Sequence, residues 1–297
     1  MFKKTFKKVL CGVLAVTASA ASVVSFSACE TDNPKVEMTI EFNGETYELQ
    51  YKLYRKVAPA TTNHFLKLVE NGFYDGVCIH DYDMEANLMY TGGYTYSADV
   101  DNGGLSEKTV DGKTYFDLAA SFGIPQTVWQ DQAKTQPTYT LIGEFVGNGF
   151  SWKNGEALKR SFGSLSMYYS EKDADQGIWV KRADESKETP RKASKYECNS
   201  ATSMFYISLA TATTKNDNYC TFATLEDKSV ATLEDLQAAI TEYVEEMGED
   251  AEFVEEYTYV IDSQDPIVGS KDEDTRETEY DVPVEPIVIK KVTVKKY

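Results

Sequence analysis

Alternation of apolar and polar positions marks strands near both ends of the chain. Lys35 to Phe42 reads KVEMTIEF and Thr46 to Tyr54 reads TYELQYKLY, with Asn43-Gly44 between them, the dipeptide that a tight hairpin turn favours. Pro59 then opens a stretch in which Phe65, Leu66, Leu68 and Val69 recur at helical spacing, and Asn71-Gly72 supplies a left-handed stop, so a helix is expected over about 59–71. Short apolar strands are expected at Val77 to His80 and at Asn87 to Thr91, before Gly92-Gly93. Regular pattern returns at 139–145 (YTLIGEF), 164–169, 204–209 and 219–225. Leu233, Leu236, Ile240, Tyr243, Val244 and Met247 fall on one stripe after a Thr232/Asp235 capping pair, which predicts a second helix over about 232–247. Val284 to Lys296 alternates again and predicts a closing strand.

Between these elements lie polar, aperiodic stretches. Residues 94–137, 171–199 and 249–282 read as long loop insertions, the last beginning in an acidic run (Glu245 to Glu256) that looks like a solvated face and loop. Strands dominate, and two helices are separated by most of the chain. The pattern fits a mainly β barrel or sandwich with two packed helices better than alternating β/α units.

The first 28 residues belong to a different physical regime. Lys3, Lys4, Lys7 and Lys8 precede an apolar, small-residue stretch from Val9 to Phe26, with no acid among them, which is the layout of a secretory signal. Phe26-Ser27-Ala28-Cys29 closes that stretch and resembles the lipobox of bacterial lipoproteins. The resemblance implies a signal at 1–28, a lipid on Cys29, a tether over 29–35 and a folded part over 36–297, held at the outer face of the cell membrane. Ordinary signal cleavage and an uncleaved membrane anchor are the alternatives. Without the four signal lysines, 26 basic residues face 48 acidic ones, a net charge of −22, which argues against nucleic acid as a partner.

Composition narrows the chemistry further. With Cys11 in the signal and Cys29 assigned to lipid, Cys78, Cys198 and Cys220 remain; one disulfide among them or buried free thiols are both open, with buried thiols favoured for Cys78 and Cys220. His64 and His80 are the only histidines, so a dedicated metal site is not expected; no cofactor is expected either.

The order of elements, read with its motifs, resembles the cyclophilins, the barrel-type peptidyl-prolyl isomerases. VAPATTNHFLKLVENGFYDG at 57–76 is similar to that family's first helix and exit turn, and YTLIGEFVGNGF at 139–150 to its threonine-isoleucine-lysine-glycine-glutamate-phenylalanine stretch. GSLSM at 163–167, SMFYI at 203–207 and the last strand also match in type and order. The resemblance implies a closed eight-stranded antiparallel β-barrel capped by two α-helices, with the long insertions added, and a proline-containing polypeptide as partner. Oligomeric state is not implied.

The family's reaction is rotation about an X-Pro bond, whose barrier of about 18–20 kcal/mol reflects amide resonance. The family places an arginine after its strand-three histidine as the cationic donor; here Asp81 follows His80, and a carboxylate has the wrong sign for that role. The remaining groove positions correspond to Leu88, Met89, Thr91, Tyr168, Tyr169, Met204, Tyr206 and Tyr219. Read without the resemblance, His80 is a packed strand histidine, Met89 and Met204 are core methionines, and some of the 20 tyrosines are ordinary sheet aromatics.

Three functional readings follow. In one, isomerisation persists with a displaced cation from the second insertion, Lys181 or Arg182. In another, the barrel is a peptide-binding, chaperone-like module that uses tyrosines as rigid contacts. In the third, the barrel is a scaffold whose insertions recruit partners, with Trp129, Trp152 and Trp179 as anchors. The basic cluster from Lys181 to Lys195 pairs with acids and water, or meets anionic lipid or an acidic partner.

Overall fold

The computed structural model describes residues 32–97, 104–108, 115–129, 131–135, 141, 143–145, 158–168, 179–181, 188–192, 202–212, 219–248, 251–262 and 275–297. Residues 1–28, Cys29, Trp152, Tyr169, Arg182 and Cys198 lie outside them.

The alternating segments form the expected strands. β1 (Lys35–Phe42) and β2 (Glu45–Leu53) pair as a hairpin through Asn43 (φ 47°) and Gly44 (φ 79°). Both residues are left-handed, as the tight turn that matches the sheet's twist requires. Helix α1 (Pro59–Glu70) follows, then β3 (Val77–Asp83), β4 (Leu88–Tyr96) and β5 (Leu105–Glu107). Helix α2 (Tyr115–Ser121), β6 (Val128–Trp129), β7 (Leu165–Met167), β8 (Trp179–Val180), β9 (Arg191–Lys192), β10 (Phe205–Ser208) and β11 (Thr221–Leu225) come next. Helix α3 (Val230–Met247) precedes β12 (Val254–Asp262), β13 (Thr275–Pro283) and β14 (Val288–Lys296).

The main sheet runs β10-β7-β11-β2-β1-β14-β3-β4, and a further β10–β4 pairing closes it into an eight-stranded antiparallel barrel, with β5 attached to β4 as an extra strand. Closure removes the free edges an open sheet would present. Inward positions of β1 (Val36, Met38, Ile40, Phe42) meet those of β2 (Leu49, Tyr51, Leu53), β10 (Phe205, Ile207) and β14 (Ile289, Val292) in one buried core. From α1, Phe65 sets its ring against Phe205, Phe222 and Tyr74, with centroids 5.5, 5.1 and 5.0 Å away. From α3, Leu233, Leu236 and Ile240 enter the same core.

Glu144 ties the chain's middle to α1. Its carboxylate is buried and accepts the backbone N–H groups of Ala60 and Thr61, at 3.1 and 2.9 Å, two donors that the helix's first turn leaves without intrahelical partners. The sequence reading placed a strand over 139–145; residue 141 makes only an isolated bridge, Gly143 to Phe145 are not in a strand, and 136–140 and 142 lie outside the described residues. Gly163 is left-handed (φ 74°), and a Cβ there would come within 2.6 Å of Leu225, so β7 can start at this point only from glycine.

The insertions contain more regular structure than the sequence pattern indicates. The first supplies the end of β4, β5, a third helix (α2) and β6; the second supplies β8 and β9, which join β6 in a small three-stranded sheet. Strands of two or three residues are too short to register as alternation. The acidic third insertion is not only loop: β12 and β13 pair over nine residues each as an antiparallel ribbon. That ribbon packs against β3 and its neighbours, building a second small core of Cys78, Tyr94, Leu105, Met204, Tyr280 and Val282 outside the barrel.

Candidate functional site

Side chains alternate across a strand, so each inward residue of the barrel leaves an outward neighbour. On β10, Phe205 and Ile207 point into the core and Tyr206 lies on the other face; on β7, Leu165 and Met167 point inward and Ser166 does not. Cross-strand register then sets a row. Asp81 of β3 stands opposite Tyr90 of β4, Tyr90 opposite Tyr206, Tyr206 opposite Ser166, and Ser166 opposite Thr221 of β11.

Rings fill this row. Tyr206 packs against Tyr90 and Tyr219 with centroids 5.5 and 5.7 Å apart, and Tyr90 packs edge-on against Tyr168 at 5.3 Å. Edge-to-face contacts of this kind place the positive rim of one ring on the negative face of the next. Tyr206 is 1% exposed and Tyr219 is 38% exposed, so the cluster runs from a buried floor to an accessible rim. Beneath it, the Ser166 and Thr221 hydroxyls share a hydrogen bond of 2.8 Å.

Charge meets the row at two places. At one end, burial pushes the Asp81 carboxyl up to about 7, with Asp281 and Asp83 nearby adding to the rise, while the hydrogen bond accepted from the Asp281 backbone N–H (3.2 Å) opposes it. In the middle of the row, burial raises the Tyr206 phenol to about 12, and hydrogen bonding from Ser166 and the charge and hydrogen bonding of Arg160 hold it back from rising further. Arg160 sits in the approach to β7, where its carbonyl accepts the Ala212 N–H at 3.0 Å; its Nε is buried and has no acceptor among the described residues. Burial and the neighbouring phenols and Asp81 also raise the Tyr90 hydroxyl.

The structure therefore brings Tyr168, Tyr206, Tyr219 and Asp81 into one row, while Leu88, Met89, Thr91 and Met204 are buried. Met89 is fully buried in the barrel core. Thr91 is buried, and its hydroxyl donates to the Cys78 carbonyl at 2.7 Å. Leu88 is buried opposite Ser208. Met204 lies in the second core with the ribbon residues Tyr280 and Val282. These four placements share a cause: β-strand parity and the ribbon decide which face each residue occupies, and neither is visible in an isolated motif. Tyr169 lies outside the described residues, as does the displaced cation Arg182. Lys181 is exposed beside the small sheet, its N–H bonded to the Thr127 carbonyl at 2.9 Å.

Sequence reasoning missed Tyr90 and Arg160. Tyr90 was legible in principle, because it alternates with Met89 and must face the other way; Arg160 is in coil, and only the tertiary fold brings it to Tyr206.

His80 is fully buried between Tyr94 and Tyr280, each ring 4.9 Å away, and neither ring nitrogen has a partner among the described residues. Burial lowers its pKa to about 3, so the imidazole is neutral and packs as an apolar ring. His64 is also buried, its Nε2 within 2.9 Å of the Thr202 carbonyl and 3.0 Å of the Tyr115 hydroxyl, and it lines a cavity of about 390 Å³ between α1 and residues 123–127. Cys78 and Cys220 are buried free thiols. Trp129 is buried and pairs with Trp179 across β6 and β8. Among the described residues, no group of three or more His, Cys, Asp and Glu side chains could hold a metal ion, and no helix is long and apolar enough to cross a membrane.

Compared with known proteins, residues 36–178 match the family described as cyclophilin type peptidyl-prolyl cis-trans isomerase/CLD. Similar solved structures include a cyclophilin type peptidyl-prolyl cis-trans isomerase from Cryptosporidium parvum, 15% identical, covering 89% of this chain and 99% of that one with a TM-score of 0.42. The Mimivirus cyclophilin is 16% identical, covering 90% of this chain and 91% of its own with a TM-score of 0.41. No curated protein matches the chain.

Proposed function

We propose that this chain, whose residues 36–178 match the cyclophilin type peptidyl-prolyl cis-trans isomerase family, binds proline-containing polypeptide along its tyrosine row, with prolyl isomerisation weak relative to binding. The observation that carries this reading is Asp81. Twisting an X-Pro amide requires a donor or cation aimed at the prolyl nitrogen or the carbonyl oxygen as charge redistributes. Where the family sets that cation, this chain sets a carboxyl, tied to the Asp281 N–H at 3.2 Å and lying beside Tyr90. Ionised, Asp81 repels the carbonyl oxygen of a substrate; protonated, it is a far weaker donor than a guanidinium.

The tyrosines support binding. Tyr90, Tyr168, Tyr206 and Tyr219 present stacked, rigid rings with hydroxyls at their tips, which suits an extended chain carrying a flat pyrrolidine ring and backbone polar groups. The setting is extracytoplasmic: the Phe26-Ser27-Ala28-Cys29 run after an apolar signal-like stretch supports lipid attachment at Cys29. Two acyl chains would hold the protein at the outer membrane face durably, where one would bind only marginally.

A protease-coupled isomerisation assay, run beside calorimetric titration with the same amide-capped prolyl peptide, tests the first claim. The expected result is measurable binding with a rate within a few-fold of the uncatalysed one. Turnover as fast as that of an arginine-bearing family member would overturn the weak-catalysis reading, and absence of binding would overturn the whole. Mass spectrometry of the membrane fraction tests the second: Cys29→Ala should abolish lipid addition, and an unmodified wild-type Cys29 would contradict it.

A further inference from the structure

We propose that the cavity beside His64 is a second binding site, which takes a small apolar molecule carrying one O–H donor and recognises that donor through His64 Nδ1. Its lining shares no residue with the tyrosine row. The cavity holds about 390 Å³, within the range of roughly 300–1,000 Å³ common for small-molecule sites. Ala60, His64 and Lys67 recur at spacings of four and three along α1, so one face of that helix forms a wall. Ile124, Pro125 and Leu141 make the rest of the lining mainly apolar, and no acidic residue lines the cavity among the described residues. An ammonium group therefore finds no partner there, whereas an apolar body does.

The state of His64 sets the ligand's polar group. His64 is 5% exposed, and its Nε2 lies 2.9 Å from the Thr202 carbonyl and 3.0 Å from the Tyr115 hydroxyl. A carbonyl oxygen only accepts, so Nε2 carries the proton. Burial lowers the imidazole pKa to about 4, against the Thr202 hydrogen bond, so at neutral pH Nδ1 is a bare lone pair. That nitrogen is buried and has no donor among the described residues. A buried acceptor without a donor is destabilising, so a ligand that supplies an O–H meets a demand the fold leaves open. Thr202 and Tyr115 hold the far edge of the ring, which fixes the tautomer and leaves the edge nearer α1 for the ligand. Because Nδ1 is covered, a ligand reaches it with a local movement of the wall; α1 is the regular part of that wall, and Gly123, Pro125 and Thr127 are exposed in its irregular part.

Phenol and toluene are the probes, because they match in size and only phenol has a donor. In the wild-type protein both should shift the amide resonances of residues 60–67 and 123–127. Phenol alone should move the His64 Nδ1 nitrogen resonance upfield, as a lone pair does when it accepts a hydrogen bond. His64→Leu should weaken phenol about ten-fold and leave toluene unweakened, since the variant keeps an apolar wall and loses the acceptor. Phenol binding with a silent Nδ1 in the wild type would overturn the proposal, and so would an equal loss of both probes in folded His64→Leu. Tighter binding of benzoate than of phenol would also overturn it, by making Lys67 the recognising group. If neither probe perturbs these residues, the cavity is not a site and the proposal falls. None of these results bears on the peptide-binding reading, whose ligand and residues are different.

Discussion

Replacing Asp81 with asparagine should stabilise the protein at pH 8 and lose that advantage in acid. The native carboxyl titrates at about 7, against an ordinary value of 3.8, because burial disfavours its charge and Asp281 and Asp83 repel it. A folded-state pKa raised above the unfolded one means that the native state holds the proton more tightly. The penalty of carrying the charge is therefore absent below the unfolded value, grows as pH rises from about 4 to 7, and is complete above 7. A gap of about three pH units at 1.36 kcal/mol each sets a ceiling of about 4 kcal/mol. Solvent reaches part of the side chain, and screening reduces that to about 1–2 kcal/mol. Asparagine removes the charge yet keeps an oxygen that can accept the Asp281 N–H. Urea unfolding of wild type and Asp81→Asn at pH 8 and pH 5 measures the difference. The account predicts an advantage of about 1–2 kcal/mol for the variant at pH 8 that is smaller at pH 5 and goes on shrinking as the pH falls toward 4. A difference that does not change with pH, or a variant less stable at pH 8, would refute the reasoning.

Other substitutions probe the frame that holds the site. Glu144→Ala should cost about 2–4 kcal/mol in chemical denaturation, because two N–H groups at the start of α1 lose a buried carboxylate; a loss under about 1 kcal/mol would show that water replaces it. His80→Leu should leave stability unchanged or raise it by about 1–2 kcal/mol, since two unpartnered ring nitrogens leave the space between Tyr94 and Tyr280. A marked loss in thermal unfolding would mean that His80 has a polar role. Cys78 and Cys220 should resist a thiol reagent in the native protein, and Tyr280→Ala together with Val282→Ala should expose Cys78 while Cys220 stays protected; equal reactivity of both would contradict a separate second core.

The parts of this architecture that sequence conveys are those where one periodicity runs long enough. β1 buries alternate residues over its eight positions, β2 does so from Leu49 to Leu53, and α1 and α3 repeat an apolar stripe over several turns. The ribbon escaped because Glu255, Glu256 and their acidic neighbours give β12 a solvated composition, although its first residue, Val254, adjoins the core residue Phe253. Motif matching located β4 and β10 but not the direction their side chains take: Met89 and Tyr90 are adjacent in sequence and lie on opposite faces. Met204 illustrates a different limit, since its surroundings come from Tyr280 and Val282, far along the chain. Arg160 combines both difficulties, being in coil and meaningful only beside Tyr206.

The most direct test of the central claim is an amide chemical-shift titration with an amide-capped prolyl peptide. The account predicts that the largest changes fall on Tyr90, Tyr168, Tyr206 and Tyr219 and on the backbone around Arg160 and Ser166. Changes concentrated instead on α1 and residues 123–127, around the cavity lined by His64, would place the ligand elsewhere and contradict it.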